Sequence, residues 1–207
     1  MIDVSQVIEK YFAKTRENIM ITGVSILLIG VMGGFLYNFE KISNIDKKIF
    51  EAVNLSEKLN NFDILFKLAF PLGRKGCFIA AVCFLAFSVP ETWGSVIFTA
   101  LLMSATERLI KLKLKRNRPF IDMDYTILRQ KNKPKDGSFP SGDASRIWFV
   151  TIGFVNIFTL QHPLALFFIF AAVIVSLGRL RLGVHYPTDV WAGSLLGAGF
   201  SLMVFSF

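Results

Sequence analysis

Residues 147–178 read IWFVTIGFVNIFTLQHPLALFFIFAAVIVSLG, a run without a single Asp, Glu, Lys or Arg. It is too long for one membrane crossing, which takes about 20 residues, and Gln161-His162-Pro163 divides it in two. Two successive apolar helices joined by a short turn belong in a bilayer, and the rest of the chain agrees. Hydrophobic residues make up 53% of the 207, Phe alone supplies 22, and the mean hydropathy is +0.53. The length allows about six spans with short loops and no separate soluble domain.

Working outward from that run, a polar turn (180–188) precedes a last apolar segment, 190–207. On the other side, 111–142 is the one long polar stretch between spans, preceded by apolar residues 93–110 and the turn Pro90-Glu91-Thr92. Residues 62–87 are apolar but interrupted by Asp63, Lys67, Pro71, Arg74 and Lys75, which predicts a partial turn or short helix and then a span from about Arg74. Residues 40–61 carry Ile45, Ile49, Ala52, Val53 and Leu59 at helical spacing and predict an amphipathic connector. Residues 19–37 are an uncharged span, and Val7, Ile8, Tyr11 and Phe12 put an apolar face on an interfacial segment before it. The expected architecture is all-α: a six-transmembrane-helix bundle forming one domain over 1–207, with an interfacial segment at 1–18 and a site loop at 111–142. An even number of spans puts both termini on one side.

The net charge of +8 does not point to nucleic acid, because the basic residues sit in short clusters between apolar segments. Membrane lipids and a phosphate group are the expected partners; no oligomeric state is implied. Cys77 and Cys83 share one apolar segment and match no zinc spacing, so buried free thiols are expected. No metal or cofactor is called for. The first apolar stretch is long enough to span, so no cleavable signal peptide is expected. The positive-inside rule would make the basic face cytoplasmic, but phosphate binding is a competing reason for the same residues.

Three motifs fall at the ends of spans on one expected face. Lys111 and Arg118-Pro119 lie where a span meets the loop; a phosphate dianion needs several cationic donors, and Arg binds it as a fork. Membrane-boundary anchoring is the alternative for both. Pro140-Ser141-Gly142 opens the next helix, where Ser141 can cap and the Gly142 amide can face an anion; an ordinary capped start is the alternative. Arg179, His185 and Asp189 follow, and a carboxylate four residues beyond an imidazole can fix its tautomer. A structural hydrogen bond at a helix start would also account for His185. His162 reads as a turn residue.

Together and in this order, Lys111-x6-Arg118-Pro119, Pro140-Ser141-Gly142 and Arg179-x5-His185-x3-Asp189 resemble the motifs of the type 2 phosphatidic acid phosphatase (PAP2) superfamily. The resemblance implies a six-helix membrane phosphatase that needs no metal. His185 would be the nucleophile that forms a phosphohistidine and Asp189 its orienting group. Lys111, Arg118, Arg179, Ser141 and the Gly142 amide would bind the phosphate. It also implies a bacterial inner membrane with an extracytoplasmic active face.

The chain departs from the pattern twice. Gly178 replaces a serine, and Asp143 stands where the superfamily has the histidine that protonates the leaving group. At a helix N-terminus among Lys and Arg, Asp143 should stay ionised near neutrality. An enzyme without a strong acid needs a good leaving group, and a phosphate, with a second pKa of about 6, is one. A polyisoprenyl diphosphate is therefore the expected substrate. Lipid A 1-phosphate, phosphatidylglycerophosphate and phosphatidate are alternatives, and an inactive lipid-phosphate-binding or transport relative is the non-enzyme reading. Arg146, one turn on, can pair with Asp143 or touch a second phosphate.

Overall fold

The computed structural model describes residues 4–158 and 162–204, with side chains outside 4–12, 34 and 35. The expected apolar face of Val7, Ile8, Tyr11 and Phe12, the turn residue Gln161 and the chain end beyond Val204 therefore lie outside the described residues or side chains. Among the described residues all regular structure is helical. α1 spans Val4–Leu36, α2 Glu40–Asn54, α3 Asp63–Ala69, α4 Lys75–Ser88, α5 Trp93–Leu114, α6 Pro119–Asp122, α7 Gly142–Phe158, α8 Pro163–Arg181 and α9 Pro187–Val204.

The interfacial segment and first span expected around 1–37 are one unbroken helix, α1, whose apolar crossing stretch is Ala13–Gly33. Among the described residues, α1 and α8 are long and apolar enough to cross a membrane. A third crossing is available if Glu57–Gly73 and Lys75–Ser88, bent by 56°, form one broken span. α5 ends in Glu107, Arg108, Lys111 and Lys113, so this helix gives part of its length to charge.

Local chemistry sets the helix ends that matter. Pro163 occupies the first turn of α8, with His162 before it accepting from the Leu164 amide at 3.2 Å. Gly183 takes φ +82°, open to glycine at little cost, and its amide returns to the Leu180 carbonyl at 3.0 Å. That turn ends α8 and brings His185 back across the end of the bundle. Pro119 starts α6, fixing the exit of the chain after Arg118.

α9 is the central helix, packed against α1, α7 and α5. Glycines allow the close crossings: a Cβ on Gly197 would lie 2.0 Å from the Ser145 carbonyl oxygen, and one on Gly193 2.3 Å from that of Ser141. The core around α4, α5, α7 and α9 holds Phe78, Leu85, Met103, Phe149, Phe154 and Phe200. Leu28, Ile79, Phe87, Phe98, Leu101 and Phe170 face outward, the apolar exterior that a bilayer solvates. Cys77 and Cys83 are free, as expected, but they lie on this exposed surface and not in the core.

Candidate active site

The three motif segments meet at one end of the bundle. Arg118 lies in the loop after α5, and its Nη1 donates to the Val184 carbonyl at 2.9 Å and stands 3.3 Å from His185 Nε2. Ser141 is tied to the α9 end through its amide, which donates to the Asp189 carbonyl at 2.9 Å. Its hydroxyl is a long cap, 3.5 Å from the Ala144 amide. Gly142 starts α7 directly against Glu107: a Cβ there would be 2.1 Å from Glu107 Oε1. A side chain there would have to displace the Glu107 carboxylate, which faces the first turn of α7.

The charges form an alternating chain. Arg179 Nη1 donates to Asp143 at 2.6 Å, and the other Asp143 oxygen accepts from Arg146 at 2.6 Å. Arg146 continues to Glu107 at 3.3 Å, Glu107 to Lys111 at 3.2 Å, Lys111 to Asp136 at 2.8 Å, and Asp136 to Arg118 at 2.8 Å. Lys111, Arg118 and Arg179, the expected phosphate ligands, are thus all engaged by carboxylates of the chain itself. Arg146 takes the first of its two expected roles, pairing with Asp143, and adds a bond to the Gly73 carbonyl at 2.8 Å. Arg179 is 1% exposed, with its guanidinium over the Phe70 ring, yet its Nε and Nη2 make no hydrogen bond. Unpaired guanidinium nitrogens in a buried site are costly unless an acceptor arrives.

His185 precedes α9 and does not lie within a helix. Its Nδ1 is 3.6 Å from Asp189 Oδ2 and makes no hydrogen bond. That Asp189 oxygen accepts from the Tyr186 amide at 2.8 Å. The i, i+4 spacing brings imidazole and carboxylate together, as expected, but the turn gives the carboxylate a competing donor. Burial, then the charges of Arg118, Lys111 and Arg179, push the His185 pKa well below 6.5, against the pull of Asp143. The ring is therefore neutral at neutral pH, and its Nε2 lone pair faces the Arg118 guanidinium. For Asp136, burial works against the carboxylate, but Lys111 and Arg118 outweigh it and bring its pKa down to about 2.

Four participants were not legible as such. Arg116 bridges Asp46 and Asp189, each at 2.6 Å, and is flanked by the rings of Tyr37 and Tyr186, each 4.3 Å from its guanidinium carbon. Asp46 also accepts from the Thr188 amide and hydroxyl, at 2.9 and 2.6 Å. Asp46 and Arg116 lie 70 residues apart, and Arg116 is one of several basic residues between Lys111 and Arg118, so no local pattern marks them. Asp136 is a lone acid after a Lys-rich run. Glu107 carried a signal, the helical i, i+4 spacing to Lys111. The basic run itself divides. Arg129 is structural, bound to Asp63, Asn54 and Arg181, whereas Lys131, Lys133 and Lys135 are exposed.

A cavity of about 330 Å³ opens beside the chain of charges, lined by Lys111, Lys115, Arg116, Arg118, Lys135 and Asp136 among others. It stops short of His185, which is 4% exposed. Arg118 lines the cavity and touches the imidazole. Among the described residues no three His, Cys, Asp or Glu side chains are grouped to hold a metal ion.

A site of converging cations around a buried imidazole, on a helical membrane scaffold, defines a class, and comparison with known proteins agrees. The sequence profile of the PAP2 superfamily matches residues 92–207, more than half of the chain. The chain belongs to the PAP2 superfamily and is an integral membrane protein. It is 40% identical over 87 residues to an undecaprenyl-diphosphatase of Sulfolobus acidocaldarius, covering 42% of this chain and 40% of that protein. It is 34% identical over 111 residues to a lipid A 1-phosphatase of Rhizobium johnstonii, covering 51% and 43%. The matched region is thus less than half the length of these curated relatives. The fold is similar to the crystal structure of a transmembrane PAP2-type phosphatidylglycerolphosphate phosphatase from Bacillus subtilis, with a TM-score of 0.65 at 23% identity over 88% of this chain and 93% of that one. At that identity the likeness concerns the fold.

Proposed function

We propose that this protein is a membrane phosphatase that removes the terminal phosphate of a polyisoprenyl diphosphate without a metal ion. His185 Nε2 attacks the terminal phosphorus as the bond to the bridging oxygen breaks, releasing the lipid monophosphate. Water then attacks the phosphohistidine, giving orthophosphate and restoring the imidazole. Lys111, Arg118, Arg179, Ser141 and the Gly142 amide hold the transferring oxygens, and Asp189 faces Nδ1 as the ring becomes cationic. Six helices (α1, α4, α5, α7, α8 and α9) cross the membrane as one domain. The site lies on the extracytoplasmic face of a bacterial inner membrane, where the lipid tail reaches it from the bilayer.

The observation that carries the choice of substrate is Asp143, clamped between Arg179 and Arg146 at 2.6 Å on both sides. A carboxylate held by two guanidinium groups is not a proton donor, so the leaving group must depart unaided. A phosphate can, and an alkoxide cannot. The relative named as an undecaprenyl-diphosphatase is consistent with this. The alternatives, a lipid 1-phosphate or a phosphatidyl monoester, need a proton from elsewhere.

The test is phosphate release by purified protein from farnesyl or undecaprenyl diphosphate, lipid A, phosphatidylglycerophosphate and phosphatidate, with and without EDTA, beside a His185→Ala control. EDTA-resistant, His185-dependent release with the diphosphates fastest is expected. Equal rates on phosphatidate would end the leaving-group argument, and no release from any substrate would favour a binding protein.

A further inference from the structure

We infer that Asp136 is a positioning residue that acts as an internal stand-in for the substrate phosphate, holding Lys111 and Arg118 until phosphate displaces it. The inference rests on the phosphatase reading and deepens it. Asp136 places one oxygen on Lys111 Nζ and the other on Arg118 Nη2, both at 2.8 Å. Two oxygens bridging a lysine and an arginine are the arrangement a phosphate would make there.

Three carboxylates engage the site cations, and they are not equivalent. The side chains of Glu107 and Asp143 are each 11% exposed, whereas that of Asp136 is 55% exposed. Asp136 also lies on the stretch between α6 and α7 that has no regular secondary structure. It can leave toward water, and the other two cannot leave without burying an unpaired charge. Asp136 also bears on the nucleophile. It holds the guanidinium whose Nη1 stands 3.3 Å from His185 Nε2, the attacking nitrogen. Arg118 lines the charged cavity, which stops short of His185, so this guanidinium stands between the cavity and the imidazole. A phosphate dianion carries two charges against one, and so it wins the exchange at these two cations. While Asp136 is seated, the cations are spaced for phosphate, and its apparent affinity is reduced by the seated fraction.

The test measures orthophosphate binding to the full-length protein by calorimetry, in a His185→Ala background where no turnover occurs. Asp136→Asn, which keeps the shape and removes the charge, should bind at least about fivefold tighter than the parent. Asp136→Glu, which keeps the charge, should stay close to the parent. With His185 present, Asp136→Asn should lower KM for a prenyl diphosphate without a matching fall in kcat, a split that general loosening of the fold would not give. Equal or weaker phosphate binding by Asp136→Asn, with thermal melting unchanged, would overturn the inference. If Asp136→Asn binds orthophosphate tighter but the parent with His185 restored hydrolyses no lipid phosphate, Asp136 is a phosphate stand-in and the phosphatase reading fails. If neither variant binds orthophosphate, both fail.

Discussion

At the scale of single residues, the site is a balance of buried charges in which one group of each kind is exceptional. Asp143 neutralises Arg179, which is otherwise enclosed with two nitrogens unpaired. Asp143→Ala should cost about 3 kcal/mol through the arginine left behind, read as a lower melting temperature in detergent. Asp143→His restores the superfamily's proton donor and should raise phosphate release from phosphatidate relative to prenyl diphosphate in the same assay. His185 gives a pH dependence of definite sign. Its folded pKa lies below 6.5, so the unfolded chain binds the proton more readily. The stability it contributes is present above about pH 6.5 and declines below it, by up to about 1.4 kcal/mol per pH unit. Melting temperature should therefore fall from pH 7 to pH 5 more steeply in the wild type than in His185→Gln.

At the scale of elements, two couplings hold the site together. α7 and α9 cross so closely that a Cβ on Gly197 would sit 2.0 Å from the Ser145 carbonyl. Gly197→Ala should cost about 3 kcal/mol or more and lower activity with stability, because Ser141, Asp143 and Asp189 all ride on these helices. Gly76 in α4 has nothing within 4 Å of a built Cβ, so Gly76→Ala should instead be neutral or stabilising by up to about 1 kcal/mol. The second coupling is Asp46–Arg116–Asp189, which ties α2 to the loop and to α9. Asp46→Ala should destabilise by about 3 kcal/mol and weaken the hold on Asp189. Thermal melts of these variants check all three expectations.

At the scale of the whole molecule, an apolar exterior surrounds a bundle whose buried charge is concentrated at one end. The exposed lysines of the 111–142 loop make the membrane orientation testable. In a Cys77/Cys83-free background, Lys133→Cys should react with a membrane-impermeant maleimide in intact cells if the face is extracytoplasmic. Labelling only after permeabilisation would reverse the assignment.

The amino-acid sequence by itself determined the helical membrane class, the order of the motifs and the anomaly at Asp143. Apolar run length, proline and glycine punctuation and motif spacing are properties of contiguous residues, and the covalent chain displays them directly. The same local chemistry made Lys111, Arg118, Arg179, His185 and Asp189 legible as candidates. Only the tertiary structure decided which charges pair. Arg116 meets Asp46 from 70 residues away, and Arg118 meets Asp136 from 18. Arg129 belongs to a structural cluster with Asp63, whereas Lys131, Lys133 and Lys135 nearby in sequence are exposed. A buried charge is held by whatever opposite charge the packing brings within about 3 Å, and the helix crossings, set by glycines on α9, determine that packing.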